Sequence, residues 1–432
     1  MNEEIKKRIT AIRNGEVPDG YVRTEYGVFP SHWRLAELRE IAQPITETAG
    51  ARKIETVSIS AGIGFANQAE KFGKELSGKQ YEKYTVLHRG DFSYNKGNSN
   101  LFPQGCIYRL NDREIAAVPN VFESFRIVNG DPDYYEQLFL SGFLNHQLFR
   151  KINHGVRDDG LLNLTEADFY SCVLPVPPIE EQLKVAEFLA SCDQIISLYQ
   201  RKFIEEQQVK KTFLDKLFPK EGSIFPETRF LGYDQAWESH KLSEVYRKIR
   251  NAFVGVAAPY YVDEGHFYLE SNNVKDGQIN HSTEVFINDA FYLRQKENWL
   301  HTGDLVMVQS GHVGHTAVIP EKLNNTAAHA LIIFANPYKN TCPYFVNSLF
   351  QGPKAKERIG VLSTGNTVKH ILASEMRAFQ IELPSYAEQQ KIGGFFEEID
   401  HLINLRQCEL ELHQKKKKAL MQLLLTGLVR VS

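Results

Sequence analysis

The segment SYNKGNSN gathers Ser93, Asn95, Lys96, Asn98, Ser99 and Asn100 around a single glycine. Amides, hydroxyls and an ammonium on such a loop can approach a phosphate backbone, and Asn can bond adenine through two hydrogen bonds. NHGVRDDG adds His154 and Arg157 beside turn residues. Two later stretches carry the same chemistry. VQSGHVGH holds Gln309, Ser310 and His312, and GNTVKH holds Asn366, Lys369 and His370. The candidate DNA-contacting set is Asn95, Lys96, Asn98, Asn100, Arg157, Gln309, Ser310, His312, Lys369 and His370. The bland reading of each loop is a solvated turn.

Catalytic and metal-binding signatures are incomplete. AGIGFAN supplies Gly62 and Gly64, two of the three glycines of a dinucleotide fingerprint, and reads as a turn. His312 and His315 are spaced by three with no third ligand nearby, so a loop or hydrogen-bonding role is expected over a metal. Asn336, Pro337 and Tyr338 approach the N-P-P-Y of adenine methyltransferases. They lack one proline, and no glycine-rich cofactor loop precedes them, so a strand-end turn is expected. Lys415 to Lys418 would point all round a helix and read as a solvated helix end. No catalytic residue and no metal site are expected.

The elements that carry these loops are repeated. Shifted by 207 positions, residues 177–218 fall without a gap on residues 384–425, with thirteen identities over 42 positions. Among them are Glu181/Glu388, Gln182/Gln389, Phe188/Phe395, Asp193/Asp400 and Lys210/Lys417. An outer frame repeats too: Trp33, Leu38 and Glu40 echo Trp237, Leu242 and Glu244, and Gly90-Asp91 echoes Gly303-Asp304. Apolar residues at 3–4 spacing, with prolines just before each start, predict a long amphipathic helix in each copy. A rod of about 40 residues and roughly 60 Å needs a partner for its stripe, and the other copy is the natural one. Phe188, Ile195, Tyr199, Phe395 and Leu402 are the candidate coiled-coil or partner contacts. Before each helix lies a mixed region, mostly short strands such as ETVSIS, CIYRL, ESFRIV, DLVMVQS and TAVIP. A late helical stretch closes each region. Linkers are expected around 14–31 and 219–228.

Composition narrows the function classes. The 432 residues suggest two or three domains. The charge balance, 50 basic against 53 acidic for a net of −3, excludes a globally basic nucleic-acid coat and an acidic tail. Five scattered cysteines without C-x-x-C argue against a zinc ribbon or a disulfide scaffold and suit a reducing compartment. No apolar run approaches the ~18 residues of a membrane span, and the charged N-terminus is unlike a signal peptide. A soluble, cytoplasmic protein is expected.

The start IKKRITAIRNGEVPDGYVRTEYGVFPSHW, the paired LPVPPIEEQLKVAEFL and LPSYAEQQKIGGFFEEID, and the ending KKALMQLLLTGLVRV resemble the specificity subunit of type I restriction–modification systems. The second copy departs slightly, losing a proline and carrying Ala387 where an acidic residue is usual. The resemblance implies an α+β protein: two mixed α/β target recognition domains joined by two long helices in an antiparallel coiled coil. The expected divisions are 1–25 (N-terminal helix and linker), 26–178 (first recognition domain), 179–219 (central helix), 228–384 (second recognition domain) and 385–427 (C-terminal helix). It further implies a non-catalytic subunit of a phage-defence system. Each recognition domain would read one half of a bipartite double-stranded DNA site, while the helices set the spacing and dock two methyltransferase (M) subunits. Restriction (R) subunits would join them. No cofactor is expected in this chain; S-adenosylmethionine, ATP and Mg2+ would belong to partner subunits that methylate adenine N6 and cut DNA.

Residues 1–178 carry 21 basic and 23 acidic side chains, and residues 228–386 carry 15 of each. Non-specific DNA affinity of the chain alone should therefore be weak, with partners supplying much of the backbone contact. The competing readings are a coiled-coil adaptor that binds protein and a stand-alone DNA methyltransferase.

Overall fold

The structure is a computed structural model that describes residues 3–60, 62–68, 78–97, 102–152, 162–363 and 369–430. The chain divides into two compact units. One joins Met1–Leu198 to Leu410–Ser432; the other is Tyr199–Glu409. Each unit therefore takes part of both long helices, Ile179–Lys216 and Tyr386–Leu424.

The two units share a frame, strand for strand. In the first, a four-stranded antiparallel sheet runs in the order Ala42–Pro44, Glu123–Ile127, Phe92–Asn95, Cys106–Arg109. In the second, Tyr246–Asn251, Leu331–Pro337, Leu305–Val308 and Thr316–Val318 repeat that order. A smaller pair follows the same rule: Arg34–Glu37 pairs with Val173–Val176, and Glu238–Lys241 with Gln380–Leu383. The repeated Leu and Glu after each Trp have structural work. Leu38 and Leu242 are fully buried. Glu40 and Glu244 each accept the backbone N–H three residues back, at 2.9 and 3.0 Å, closing a short helix.

Each core is completed by the start of one long helix and the end of the other. In the first unit Val185 and Leu189 join Met421, Leu424 and Leu425 against Phe92, Phe125, Tyr134 and Leu138. In the second, Ile392 and Phe396 join Leu214, Leu217 and Phe218 against Leu305, Phe334, Phe345 and Val346. Each such buried side chain contributes about 1.5–3 kcal/mol of transfer free energy, so neither recognition region is a complete core without the helix ends.

A run of buried and half-buried positions spaced by four and three passes along the first long helix, at 185, 189, 192, 196, 199, 203, 206, 210 and 213. The second follows at 392, 396, 399, 403, 406, 410, 413, 417, 420 and 424. That alternation of four and three is the heptad of a coiled-coil seam. In the first unit Glu181 and Asp193 meet Arg430 and Lys417; in the second Glu206 and Lys210 meet Arg406 and Asp400. Rising numbers meet falling ones in each unit, so the helices run antiparallel.

Three expectations change. The stretch 14–31 is not a plain linker: Tyr21–Thr24 and Gly27–Pro30 form a hairpin. The Tyr21 hydroxyl ties it to the Gly427 carbonyl at 2.7 Å. The late helical stretches are each two helices, Pro132–Leu140 with Asn145–Lys151, and Pro343–Gln351 with Pro353–Leu362. The breaks fall at Gly142, with φ +76°, and at Gly352-Pro353. Finally, Phe188, Ile195 and Leu402 are not in the seam. They are 41%, 42% and 52% exposed, because their neighbours Leu189, Ile196 and Ile403 take the heptad positions. Tyr199 does lie in the seam, with the Arg406 guanidinium 5.7 Å from its ring. Phe395 packs edge-on against Phe213 and Phe230 at the side of the second core. Among the described residues no helix is long and apolar enough to cross a membrane.

Candidate nucleic-acid interface

The candidate loops leave the far end of one strand in each sheet, and the Gly-Asp motif fixes its near end. Asp91 accepts the His88 N–H at 2.8 Å; Asp304 accepts the His301 N–H at 2.9 Å. Both carboxylates are almost fully buried. Arg126 holds Asp91 through two hydrogen bonds, at 2.6 and 2.9 Å. Asp304 also accepts the Asn336 N–H, at 3.3 Å, and burial pushes its carboxyl above the usual range. Gly90 and Gly303 precede them with φ of +96° and +84°, where a side chain would be strained.

In the first unit the strand Phe92–Asn95 ends in a local turn. The Asn95 Oδ1 accepts the Gly97 N–H at 2.8 Å, and its amide donates to the Ile59 carbonyl at 3.4 Å. The Lys96 ammonium turns inward, pairs with Glu123 and donates to the Leu164 carbonyl at 3.4 Å. The expectation that Lys96 reaches out to phosphate gives way to this internal pair, which neutralises its charge inside the fold. Asn98, Asn100, His154 and Arg157 lie outside the described residues, as do Ser99 and Asn366.

In the second unit the two candidate stretches converge. Ser310 bridges His370, the Gly311 N–H donates to the Lys369 carbonyl at 3.2 Å, and the Ile371 N–H donates to the Gln309 carbonyl at 3.0 Å. Gln309, which stands where Lys96 stands in the first sheet, is 4% exposed. A surface contact for it is corrected to a buried position; its Oε1 has no hydrogen-bond partner among the described residues. His312, Lys369 and His370 are exposed, and Ser310 is half-buried. The His312 and His315 rings meet edge-on, 6.3 Å apart. The His315 Nδ1 accepts the Asp276 N–H at 3.2 Å, so that nitrogen carries no proton. Burial holds its pKa below the ordinary value, and nearby Lys356, His312 and Lys275 also oppose protonation, against Asp276. The result is a cationic surface of Lys275, Lys356 and Lys369 around two histidines. Sequence reading missed Lys275 and Lys356, because only folding brings their segments to this loop.

Gly62 and Ile63 lie at the tip of the hairpin Val57–Ser60/Gly64–Asn67, and Asn336 lies near the end of a strand at φ +55°. No cluster of three or more His, Cys, Asp or Glu poised for a metal occurs among the described residues.

The repeated Glu-Gln pair anchors each recognition region to its long helix. Gln182 accepts the Asp131 N–H at 2.8 Å and donates to the Pro177 carbonyl at 2.8 Å. Gln389 accepts the Cys342 N–H at 3.0 Å and donates to the Pro384 carbonyl at 3.0 Å. Asp131 and Cys342 are the N-caps of equivalent helices. Arg229 donates to both oxygens of buried Glu388, each at 2.7 Å. Glu181 is held by Arg430, by the Trp33 indole at 3.1 Å and by His32. Burial pushes Glu181 up, but these hydrogen bonds outweigh it and hold it below the usual carboxylate value.

Residues 236–413 match the family described as the type I restriction modification DNA specificity domain. Two curated proteins of Methanocaldococcus jannaschii are similar. The chain is 24% identical to the type I restriction enzyme MjaX specificity subunit, over 96% of this chain and 97% of that one. It is 25% identical to the MjaVIII specificity subunit, over 63% and 65%. Among solved structures, the S subunit of a type I restriction–modification system from M. genitalium aligns with a TM-score of 0.56 at 12% identity, over 91% of this chain and 96% of that one. A chain from a structure of the type I R-M system aligns at 0.54 and 17% identity, over 93% and 99%.

Proposed function

The chain belongs to the specificity-subunit family of type I restriction–modification systems, and from that premise we propose that each unit reads one half of a bipartite double-stranded DNA site. One observation carries this reading. The two units share one frame down to the backbone N–H that Asp91 and Asp304 each accept from the histidine three residues back, yet differ in what surrounds their loops. The second adds the sheet Tyr261–Val262, Val285–Ile287, His266–Leu269, Ala327–Ala328. The first has the hairpin Val57–Ser60/Gly64–Asn67 and the pair Thr85–His88/Ile115–Val118. One construction with two different readers suits two different half-sites.

The paired helices hold the two readers and so set the spacing of the half-sites. Their exposed apolar residues, Phe188, Ile195, Leu198, Leu402 and Leu405, suit docking of two methyltransferase subunits. Asn95, Ser310, His312, Lys369 and His370 stay as candidate contacts, as do Asn98, Asn100 and Arg157 outside the described residues, with Lys275 and Lys356 added. Methyl transfer from S-adenosylmethionine, and ATP- and Mg2+-dependent cleavage by restriction subunits, are assigned to the partners. The chain itself contributes sequence recognition and no catalytic group. A cytoplasmic site of action follows from that role.

The test is the salt dependence of specific DNA binding by the assembled methyltransferase. Each lost phosphate contact should lower the slope of log K against log salt by about 0.9. Replacing Lys275, Lys356 and Lys369 together with alanine should lower it by roughly 2 to 3. An unchanged slope would remove this surface from the interface.

A further inference from the structure

Lys210 is a buried lysine on a seam position, and its bonds join the helix pair to one turn and to the helix Pro343–Gln351. Its ammonium donates to the Gln351 Oε1 at 2.5 Å and to the Asp276 carbonyl at 3.1 Å, and pairs with Asp400 at 2.5 Å. Asp276 and Gly277 form the tip between Val274–Lys275 and Gln278–Ile279, with φ of +50° and +88°. Two successive positive φ values make a tight turn that matches strand twist. A Cβ at Gly277 would lie 2.1 Å from the Gln351 Nε2 and so displace that side chain from Lys210, and the φ of +88° strains any substitution. The Gly277 carbonyl accepts the Asn347 amide at 2.8 Å, and Gln278 donates to the Asp400 carbonyl at 3.2 Å. The far side of the same turn meets the recognition loop, where the Asp276 N–H donates to His315. A continuous bonded path therefore runs from the helix pair through the turn to the Gln309–His315 loop.

Among the described residues the first unit shows no such path. Lys417, the repeat counterpart of Lys210, bonds both oxygens of Asp193 at 2.6 and 2.7 Å. Gln137 donates to Asp193 at 3.0 Å. Leu140 stands where Gln351 stands in the equivalent helix, so no side-chain acceptor is offered there. Among the described residues, a cavity bordered by Leu140, Ser141, Ile196 and Met421 flanks the pair. Among the described residues, the repeated lysine is thus wired to a recognition loop in the second unit and to Asp193 in the first.

We propose that Lys210 is a positioning residue for one half-site: it holds the Asp276-Gly277 turn against the helix pair and so fixes the loop that carries His312 and His315. The proposal rests on the reading of that loop as DNA-facing. It makes the fidelity of one half-site, and not the other, depend on a residue in the helix pair.

The experiment measures methylation rates of the assembled complex on the native duplex and on duplexes with single base changes in either half-site. In the unaltered complex both halves must discriminate; if one does not, the DNA-recognition reading itself fails, whatever Lys210 does. Lys210→Met should reduce discrimination about tenfold at one half-site, the loss of a contact at the low end of a bidentate pair, and leave the other unchanged. Gly277→Ala, which displaces the turn while keeping every charge, should reduce discrimination at that same half-site. Lys417→Met should move neither ratio. Equal loss at both half-sites, or a lower melting temperature with both ratios intact, would overturn the proposal and leave Lys210 as a structural ion pair.

Discussion

Asp193 on the first long helix is ion-paired with Lys417 on the second, at 2.6 and 2.7 Å, and their repeat counterparts Lys210 and Asp400 form the reciprocal pair at 2.5 Å. Both residues were visible as identities of the 207-residue repeat. Only an antiparallel arrangement lets the aspartate of each copy meet the lysine of the other. Asp193 is 46% exposed at its side chain and Asp400 only 13%. Burial pushes the Asp400 carboxyl above its usual range despite Lys210 beside it, so that pair is better understood as fixing register than as adding stability. Asp193→Ala removes a half-exposed carboxylate, so water can reach the Lys417 ammonium it leaves, and should cost about 1 kcal/mol. Asp400→Ala, which strands a buried ammonium, should cost about 3–5 kcal/mol. Denaturant titration of the two variants checks the order; equal losses would contradict it.

The Glu-Gln motif gives a second asymmetry. Glu388 is fully buried and Arg229 is 14% exposed, whereas Arg430, which holds Glu181, is 53% exposed. Glu181 also has the Trp33 indole and His32. Arg229→Met should therefore destabilise by about 3–5 kcal/mol, and Arg430→Met by about 1 kcal/mol or less. Thermal unfolding of both variants reads the difference directly, and a greater loss for Arg430→Met would refute the account of the anchor.

The second unit holds a pH-sensitive pair. The His329 ring is raised above its ordinary pKa by its hydrogen bond to Glu270, partly offset by burial and helped by the Gly255 carbonyl. Glu270 is lowered by the same bond. The histidine contribution is full below its unfolded pKa and is lost as pH rises through the raised folded value. The glutamate contribution is present above its unfolded pKa and is lost as pH falls through the lowered one. The pair therefore stabilises most between the two unfolded values, near pH 5 to 6. His329→Gln should lower the melting temperature more at pH 6 than at pH 8.5. A larger loss at pH 8.5 would reverse the sign of this linkage.

Much of the architecture was legible because repetition is independent of local propensity. The helices, the frame motifs Trp33/Trp237 and Gly90-Asp91/Gly303-Asp304, and the pairing of the copies all follow from it. What was hidden depended on choices between neighbours. Phe188 adjoins Leu189 and Ile195 adjoins Ile196, and 3–4 spacing alone does not say which enters the seam. Lys96 looked solvent-facing because Glu123, its partner, is 27 residues away. Lys275 and Lys356 lie far from His312 in sequence and join it only through the turn and helix that flank the loop.

The most direct test of the central claim is a genome-wide map of N6-methyladenine in cells with and without this gene, with the partner methyltransferase subunit present in both. The account predicts loss of one split motif, methylated on both strands in the intact strain. An unchanged methylome, with the partner expressed, would contradict it.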